Sequence, residues 1–202
     1  MGARSKSRSP SPNASSSMRV IAGSAKGRIL KAPDVAVLRP TSDKVRGAIF
    51  NVIGSFFETE ERVLDLYAGT GALGIEALSR GAGWCDFVEQ NRLCAATIQE
   101  NLRATGLADQ AQVIQKSVRA ALPQLQGPYG IVLLDPPYAE GIDGTVVQAL
   151  LDRGLLTPDT VVVAEHTRRG QAAERFGPLV RVKQRGYGDT VFSVYAFEGE
   201  DR

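Results

Sequence analysis

Histidine and cysteine are nearly missing: among 202 residues stand one histidine, His166, and two cysteines, Cys85 and Cys94. That supply excludes zinc fingers and histidine-based catalytic triads, and a chain of this size does not depend on a disulfide staple. Neither cysteine has metal-ligand spacing, so both read as reduced structural residues and no metal is expected. Long apolar runs are missing as well. Charged residues interrupt every one before the roughly 18 to 20 residues that would span a bilayer, so no membrane partner is expected. Nor does one sign of charge dominate, with 24 Lys+Arg against 22 Asp+Glu. What is present, 43% apolar residues, suits a single compact domain with a sizeable core.

The net charge of +2 conceals three regions. Residues 1–17 carry Arg4, Lys6 and Arg8 and no acid; seven serines and two prolines there predict a disordered tail with no apolar stretch for a signal peptide. Met18 stands as a candidate start or as the first ordered residue. Residues 18–46 carry seven basic residues against Asp34 and Asp43, whereas residues 47–202 carry 14 basic and 20 acidic. A basic segment on an acidic body steers a polyanion toward one face, which points to nucleic acid, although an ordinary solvated surface shows such charges too.

Short extended runs at 19–23 and 28–31 predict a hairpin with a basic loop. From Ser42 to Phe57 the apolar positions recur every three or four residues, with Thr41 or Ser42 as N-cap, predicting an amphipathic helix. Beyond Glu61, strands at 63–67, 85–89, 111–115, 131–134 and 160–165 alternate with helices at 72–80, 92–105, 118–125 and 145–153. That alternation is the pattern of a doubly wound α/β fold with a mostly parallel sheet. Leu179–Lys183 and Thr190–Phe197 flank a Gly-Tyr-Gly-Asp turn too short for a crossover helix, so the sheet should end in an antiparallel hairpin. The organisation expected is a tail at 1–17, a basic hairpin-plus-helix extension at 18–60 and the α/β unit at 61–202.

Two loops carry chemistry. After the first strand, Asp65-Leu-Tyr67-Ala68-Gly69-Thr-Gly71-Ala-Leu-Gly74 matches G-x-G-x-x-G between strand and helix, where glycines let the backbone turn sharply against a nucleotide-like ligand. Glu89, ending the second strand, is placed to accept from ribose hydroxyls. Asp65 would set a negative charge beside the pyrophosphate of a dinucleotide but suits S-adenosylmethionine, which has an ammonium, a sulfonium and no phosphate. An Asp satisfied by nearby backbone N–H groups is the bland alternative. The fourth strand runs into Asp135-Pro136-Pro137-Tyr138 at the same sheet edge. Asp135 and the Pro136 carbonyl are adjacent acceptors and Tyr138 an aromatic face, a set suited to gripping a planar exocyclic amine, aligning its lone pair and taking its proton.

Together these motifs resemble the class I, Rossmann-like methyltransferases that act on exocyclic amines. Arg19-Val-Ile-Ala-Gly23, Gly27-Arg28, Arg39-Pro-Thr41, Arg46, Phe50-Asn51 and Tyr187-Gly188-Asp189-Thr190 narrow the likeness to the RsmD family, 16S ribosomal RNA guanine-N2 methyltransferases, over about residues 18–197. The resemblance implies a cytoplasmic enzyme with S-adenosyl-L-methionine as cofactor and 16S ribosomal RNA, within an assembled or assembling small ribosomal subunit, as partner. It implies catalysis by Asp135, Pro136 and Tyr138. It implies cofactor binding by Asp65, Tyr67, Ala68, Gly69, Gly71, Glu89, Ser117, Val118 and Asp135. Many methyltransferases place an acid after the third strand; this chain reads Lys116-Ser117-Val118, leaving adenine contact to backbone groups and the Ser117 hydroxyl. The RNA-facing residues expected are Lys26, Arg28, Arg39, Thr41, Lys44 and Arg46, with the target guanine unpaired or flipped to reach Asp135. Adenine-N6 methylation, protein-glutamine methylation, a nicotinamide-dependent oxidoreductase and a non-enzymatic RNA-binding module are the alternatives.

Overall fold

In the computed structural model, residues 18–33, 41–54, 61–137, 142–170 and 172–199 are described. The N-terminal tail, Arg39 and Tyr138 lie outside them. Eight strands form one sheet in the order β3-β2-β1-β4-β5-β8-β7-β6, where β1 is Arg62–Leu66, β2 Trp84–Val88, β3 Ala111–Ile114, β4 Tyr129–Leu134, β5 Leu156–Thr167, β6 Arg175–Phe176, β7 Leu179–Tyr187 and β8 Thr190–Phe197. Strands β1 to β5 pair in parallel and β5 to β8, β8 to β7 and β7 to β6 antiparallel, as the doubly wound sheet with a closing hairpin requires.

Alternation along each strand divides the core between the two faces. Val63, Leu133, Val163 and Phe192 face one side with helices α1 (Asp43–Ile53), α2 (Ala72–Ser79) and α3 (Arg92–Thr105). Leu64, Val132, Val162 and Tyr195 face the other with α4 (Val118–Ala121) and α5 (Gly144–Asp152). Helices α1 and α3 start at side-chain caps: Ser42 accepts from Val45 N–H, and Asn91 accepts from the N–H groups of Leu93 and Cys94. The segment expected as one helix over 118–125 becomes α4 and then a 3-10 turn at Leu122–Gln124, where Pro123 has no N–H to donate. Strand β5 starts earlier than its apolar run, with Pro158 and Asp159 inside it, and β7 continues past Lys183 to Tyr187 after a register shift between Arg181 and Lys183. The short β6 was not anticipated.

The N-terminal segment shares this core. Arg19 and Ile29 form a single antiparallel bridge, closed by Val20 N–H to the Arg28 carbonyl and Leu30 N–H to the Met18 carbonyl, so the expected hairpin is reduced to its minimum. Val20, Ala25 and Leu30 are buried with α1 and α2. Helix α2 shows solvent no polar face; its Glu76 accepts from Ile21 and Ala22 N–H at 2.8 and 3.0 Å, and Asn101 of α3 exchanges bonds with the Lys31 backbone. Gly23 lies so close that a Cβ there would stand 1.6 Å from the Ser79 carbonyl oxygen. No described helix is long and apolar enough to cross a membrane.

Candidate active site

The glycine loop leaves β1 through Tyr67, the one described non-glycine residue with positive φ, at 61°, a conformation costing about 1–2 kcal/mol that the surrounding bonds must hold. Ala68 N–H reaches the Val88 carbonyl at 3.1 Å and Gly71 N–H the Ala68 carbonyl at 2.7 Å, which ties the loop to β2. Gly69 and Gly71 also have positive φ, and Gly71 is the N-cap of α2. Tyr67, Ala68 and Gly69 are partly exposed at the sheet edge, as a ligand-binding loop needs.

Two carboxylates brace this loop. Glu89 accepts from Gly69 N–H at 2.8 Å through one oxygen and from Asn91 N–H at 2.7 Å through the other. It stands at the end of β2, the position expected for a ribose acceptor, and it shapes the loop as well. Asp65 departs from its expectation. It is 1% exposed and accepts from Gly74 N–H at 2.9 Å, so it holds the start of α2 from inside instead of meeting a ligand ammonium at the surface. Burial pushes its carboxyl up to about 8, against the lowering by the Gly74 bond, and the Glu89 charge adds to the rise. Ser117 is exposed and caps α4 by accepting from Ala120 N–H, while the Val118 side chain is buried in the core.

The second loop begins one bond from the first. Asp135 N–H donates to the carbonyl of Leu66, the last residue of β1, at 3.3 Å. Pro136 is buried and Pro137 exposed. Asp135 Oδ2 takes the Thr41 hydroxyl at 3.2 Å, and the same hydroxyl lies 2.9 Å from Oε2 of Glu165 near the end of β5. In the parallel register Leu134 pairs with Ala164, so Asp135 and Glu165 are side by side on the face that carries Leu133 and Val163. Burial raises the Asp135 carboxyl well above the usual carboxylate range; the Glu165 charge adds to the rise, the Thr41 bond opposes it, and the Asp65 charge adds again. Sequence reasoning gave Glu165 and Thr41 no catalytic part. The available signal was a carboxylate closing an otherwise apolar strand, Val161–Ala164.

The basic residues expected to face RNA separate in space. Arg46 is 0% exposed; its guanidinium bonds the carbonyls of Thr41 and Arg19 and pairs with Asp43 at 2.7 Å, so it organises the protein interior and presents nothing to a phosphate. Thr41 is 7% exposed with its hydroxyl turned to the two carboxylates, which corrects its assignment too. Lys26 is exposed, but its turn docks on Ser79 at the last residue of α2, with Ala25 N–H on Ser79 Oγ at 3.0 Å. Helix α2 starts at the edge that carries the glycine loop and runs about 12 Å away from it, eight residues at 1.5 Å rise, so Lys26 marks the far end. Arg28 is exposed beside it in sequence. Lys44 is exposed and lies over the Tyr187 ring at 5.8 Å, and Tyr187 stacks on Phe192. Arg168 and Arg185, also exposed, flank the β7–β8 turn, which the Thr167–Thr190 pairing puts at the same end of the sheet as Asp135. Sequence reasoning missed these two because they are distant in the chain from the basic segment.

Residues 18–196 match the protein family described as Conserved hypothetical protein 95. The chain belongs to that family, the one to which the RsmD resemblance pointed. Its relatives include Bacillus subtilis YlbH, named as a candidate rRNA methyltransferase, 41% identical over 186 residues that cover 90% of this chain and all of that protein. Ribosomal RNA small subunit methyltransferase D of Escherichia coli K12 is 36% identical across 77% of this chain and 78% of its own length. Among solved structures, an Escherichia coli protein described as a candidate methyltransferase, yhhF, superposes with a TM-score of 0.79 at 31% identity, over 91% of this chain and 99% of the other. The family's fold is thus the class I methyltransferase fold, and the glycine loop and Asp135 lie at the carboxyl ends of its parallel strands.

Proposed function

We propose that this protein methylates the exocyclic N2 amine of a guanine in small-subunit ribosomal RNA, with S-adenosylmethionine as methyl donor. The observation that carries the reading is the position of Asp135: one backbone bond from the end of β1 that opens into the glycine loop, and partly open to solvent. The relatives' names supply the RNA class. The residues fit this cofactor. The sheet edge offers the Tyr67–Gly71 backbone and the Glu89 carboxylate, and no basic residue stands between Arg62 and Arg80 to meet a pyrophosphate. That donor set suits a cationic, phosphate-free nucleoside better than a dinucleotide. Glu89 would hold the ribose, the loop the amino-acid portion and the Ser117–Val118 turn the adenine.

S-adenosylmethionine, when bound, supplies a sulfonium-activated methyl group. Asp135 and the Pro136 carbonyl accept the two N–H bonds of the guanine amine, which turns its lone pair out of conjugation and toward the methyl group. The surplus proton then passes from nitrogen to the Asp135 carboxylate, at Oδ1, the oxygen that Thr41 leaves open. Lys44, Arg168 and Arg185 contact phosphates around the edge, and Tyr187 lies between them.

Methyl transfer from labelled S-adenosylmethionine to small ribosomal subunits and to naked 16S RNA, followed by nucleoside analysis, tests the reading. N2-methylguanosine is the expected product. N6-methyladenosine would replace the substrate base, and transfer to neither RNA would overturn the reading. Asp135→Ala should lower turnover by about 10²–10⁴-fold with cofactor affinity retained, since general-base catalysis contributes that much.

A further inference from the structure

The residues around Asp135 form a chain of three groups from three parts of the fold. Thr41 comes from the segment before α1, Asp135 from the end of β4 and Glu165 from β5. Thr41 Oγ1 is 3.2 Å from one carboxyl oxygen and 2.9 Å from the other. A hydroxyl has a single hydrogen, so the two carboxylates compete for it. Thr41 is fixed between them: Arg46 Nη1 grips its carbonyl at 3.2 Å, and Ser42, the next residue, is committed to capping α1. Glu165 is 2% exposed, buried where the reaction as described gives it no part.

We propose that Thr41 and Glu165 are positioning residues for Asp135, with the Thr41 hydroxyl acting as a rotor that follows the proton through the reaction. The proposal rests on Asp135 being the group that accepts the amine proton. Before transfer, in the ionised form that accepts the proton, Thr41 Oγ1–H points to Asp135 Oδ2, which favours the carboxylate against the burial and the Glu165 charge that oppose it, and leaves Oδ1 for the amine. As the lone pair forms the new N–C bond, the S–C bond to the methyl group would break with its electron pair left on the donor's sulfur as a neutral thioether, and the surplus N–H bond breaks and its proton binds Asp135 Oδ1. Oδ2 is then the carbonyl oxygen of a neutral acid, a weaker acceptor than a carboxylate, and the Thr41 hydrogen swings to Glu165 Oε2. One proton has entered the chain of groups, and the swing is a rotation that breaks no covalent bond. Glu165 therefore receives the hydroxyl that Asp135 gives up, so no orphaned hydroxyl is left buried.

The described charged groups bearing on Asp135 are Glu165 of β5 and Asp65 of β1, whose charges both oppose its ionisation, while the Thr41 hydroxyl favours it. From α1, Arg46 reaches the Thr41 carbonyl and Lys44 turns to Tyr187; His166 faces the opposite side of the sheet, with Nε2 at 3.0 Å from Ser193 Oγ. Removing each partner thus moves Asp135 in opposite directions, which a purely structural role would not do.

The test is the pH profile of single-turnover methyl transfer to small ribosomal subunits, with a side-chain carboxyl carbon NMR titration of Asp135 in the free protein. Glu165→Gln, which keeps the shape and removes the charge, should move the acid limb and the Asp135 titration to lower pH. Thr41→Val should move both to higher pH, each by on the order of one unit, and Thr41→Ser should restore the original position. Both Glu165→Gln and Thr41→Val should lower the rate constant with little change in the KM for the subunit. Loss of rate at every pH with no movement of limb or titration would overturn the proposal. Full turnover by Asp135→Ala would instead overturn the catalytic role of Asp135, and the titrations in the Thr41 and Glu165 variants would still report whether the three groups are linked.

Discussion

Asp65 has a carboxyl group where water cannot reach it, and Gly74 N–H is a weaker compensation than the hydration it replaces. Its folded-state pKa of about 8 stands above the ordinary 3.8. Between those values the native chain holds a proton that the unfolded chain has released, so the native state gains most at the acid end and loses that gain as pH rises toward 8. Asp65→Asn keeps the acceptor for Gly74 and removes the titration. Denaturant unfolding from about pH 5 to about pH 8 should therefore show a shallower decline in stability for the variant than for the parent, with Asp135, raised for the same first reason, accounting for a remaining slope of the same sign. An unchanged slope would place the titrating group elsewhere. The same burial pushes the Cys85 thiol up, with the Asp65 charge as the next cause, so this cysteine is inert packing.

At the scale of elements, α2 shows why the glycine pattern was readable and much else was not. The third glycine of the motif, Gly74, sits over β2, where a Cβ would stand 2.3 Å from Phe87 Cε1 and 2.8 Å from Cys85 Sγ. Gly74→Ala must push the helix off the sheet, and overpacking of this kind costs about 1–3 kcal/mol, to be read as a lower denaturation midpoint at unchanged m-value. A parent-like midpoint would mean that the helix shifts at no cost. That constraint is local, strand to turn to helix within ten residues, and sequence spacing reports it. The other side of α2 is decided at long range: Glu76 serves the backbone of Ile21 and Ala22, 55 and 54 residues away. No periodicity announces such a pairing. The same distinction separates the legible parallel strands, each a short apolar run, from β6 and the far half of β7, whose exposed residues carry no apolar signal and exist as strand only through pairing with neighbours. Asp135 was legible because two prolines mark its loop; Glu165 was not, because its partner Thr41 lies 124 residues away.

Over the whole molecule, counting charge along the chain placed the RNA face on one basic segment, and folding divides that segment between two ends. Lys26 goes to the far end of α2, Arg46 goes inside, and Lys44 is the exposed basic residue of that segment that stays near the sheet edge carrying Asp135. The edge regains positive charge from Arg168 and Arg185, delivered by the antiparallel hairpin that replaces a crossover helix at the end of the sheet. An RNA whose guanine enters at Asp135 passes Lys44 and Arg185 and has no reason to reach Lys26. Each phosphate deprived of its cation should flatten the dependence of log affinity on log salt by about one unit. Lys44→Glu and Arg185→Glu should each weaken RNA binding and flatten that slope, whereas Lys26→Glu should leave the slope where it was, all with unchanged cofactor affinity. Binding isotherms over a salt series decide the matter. A slope that flattens for Lys26→Glu and holds for the other two would mean that the RNA lies along the far end of α2, and the guanine would then have to cross the length of that helix to meet the carboxylate.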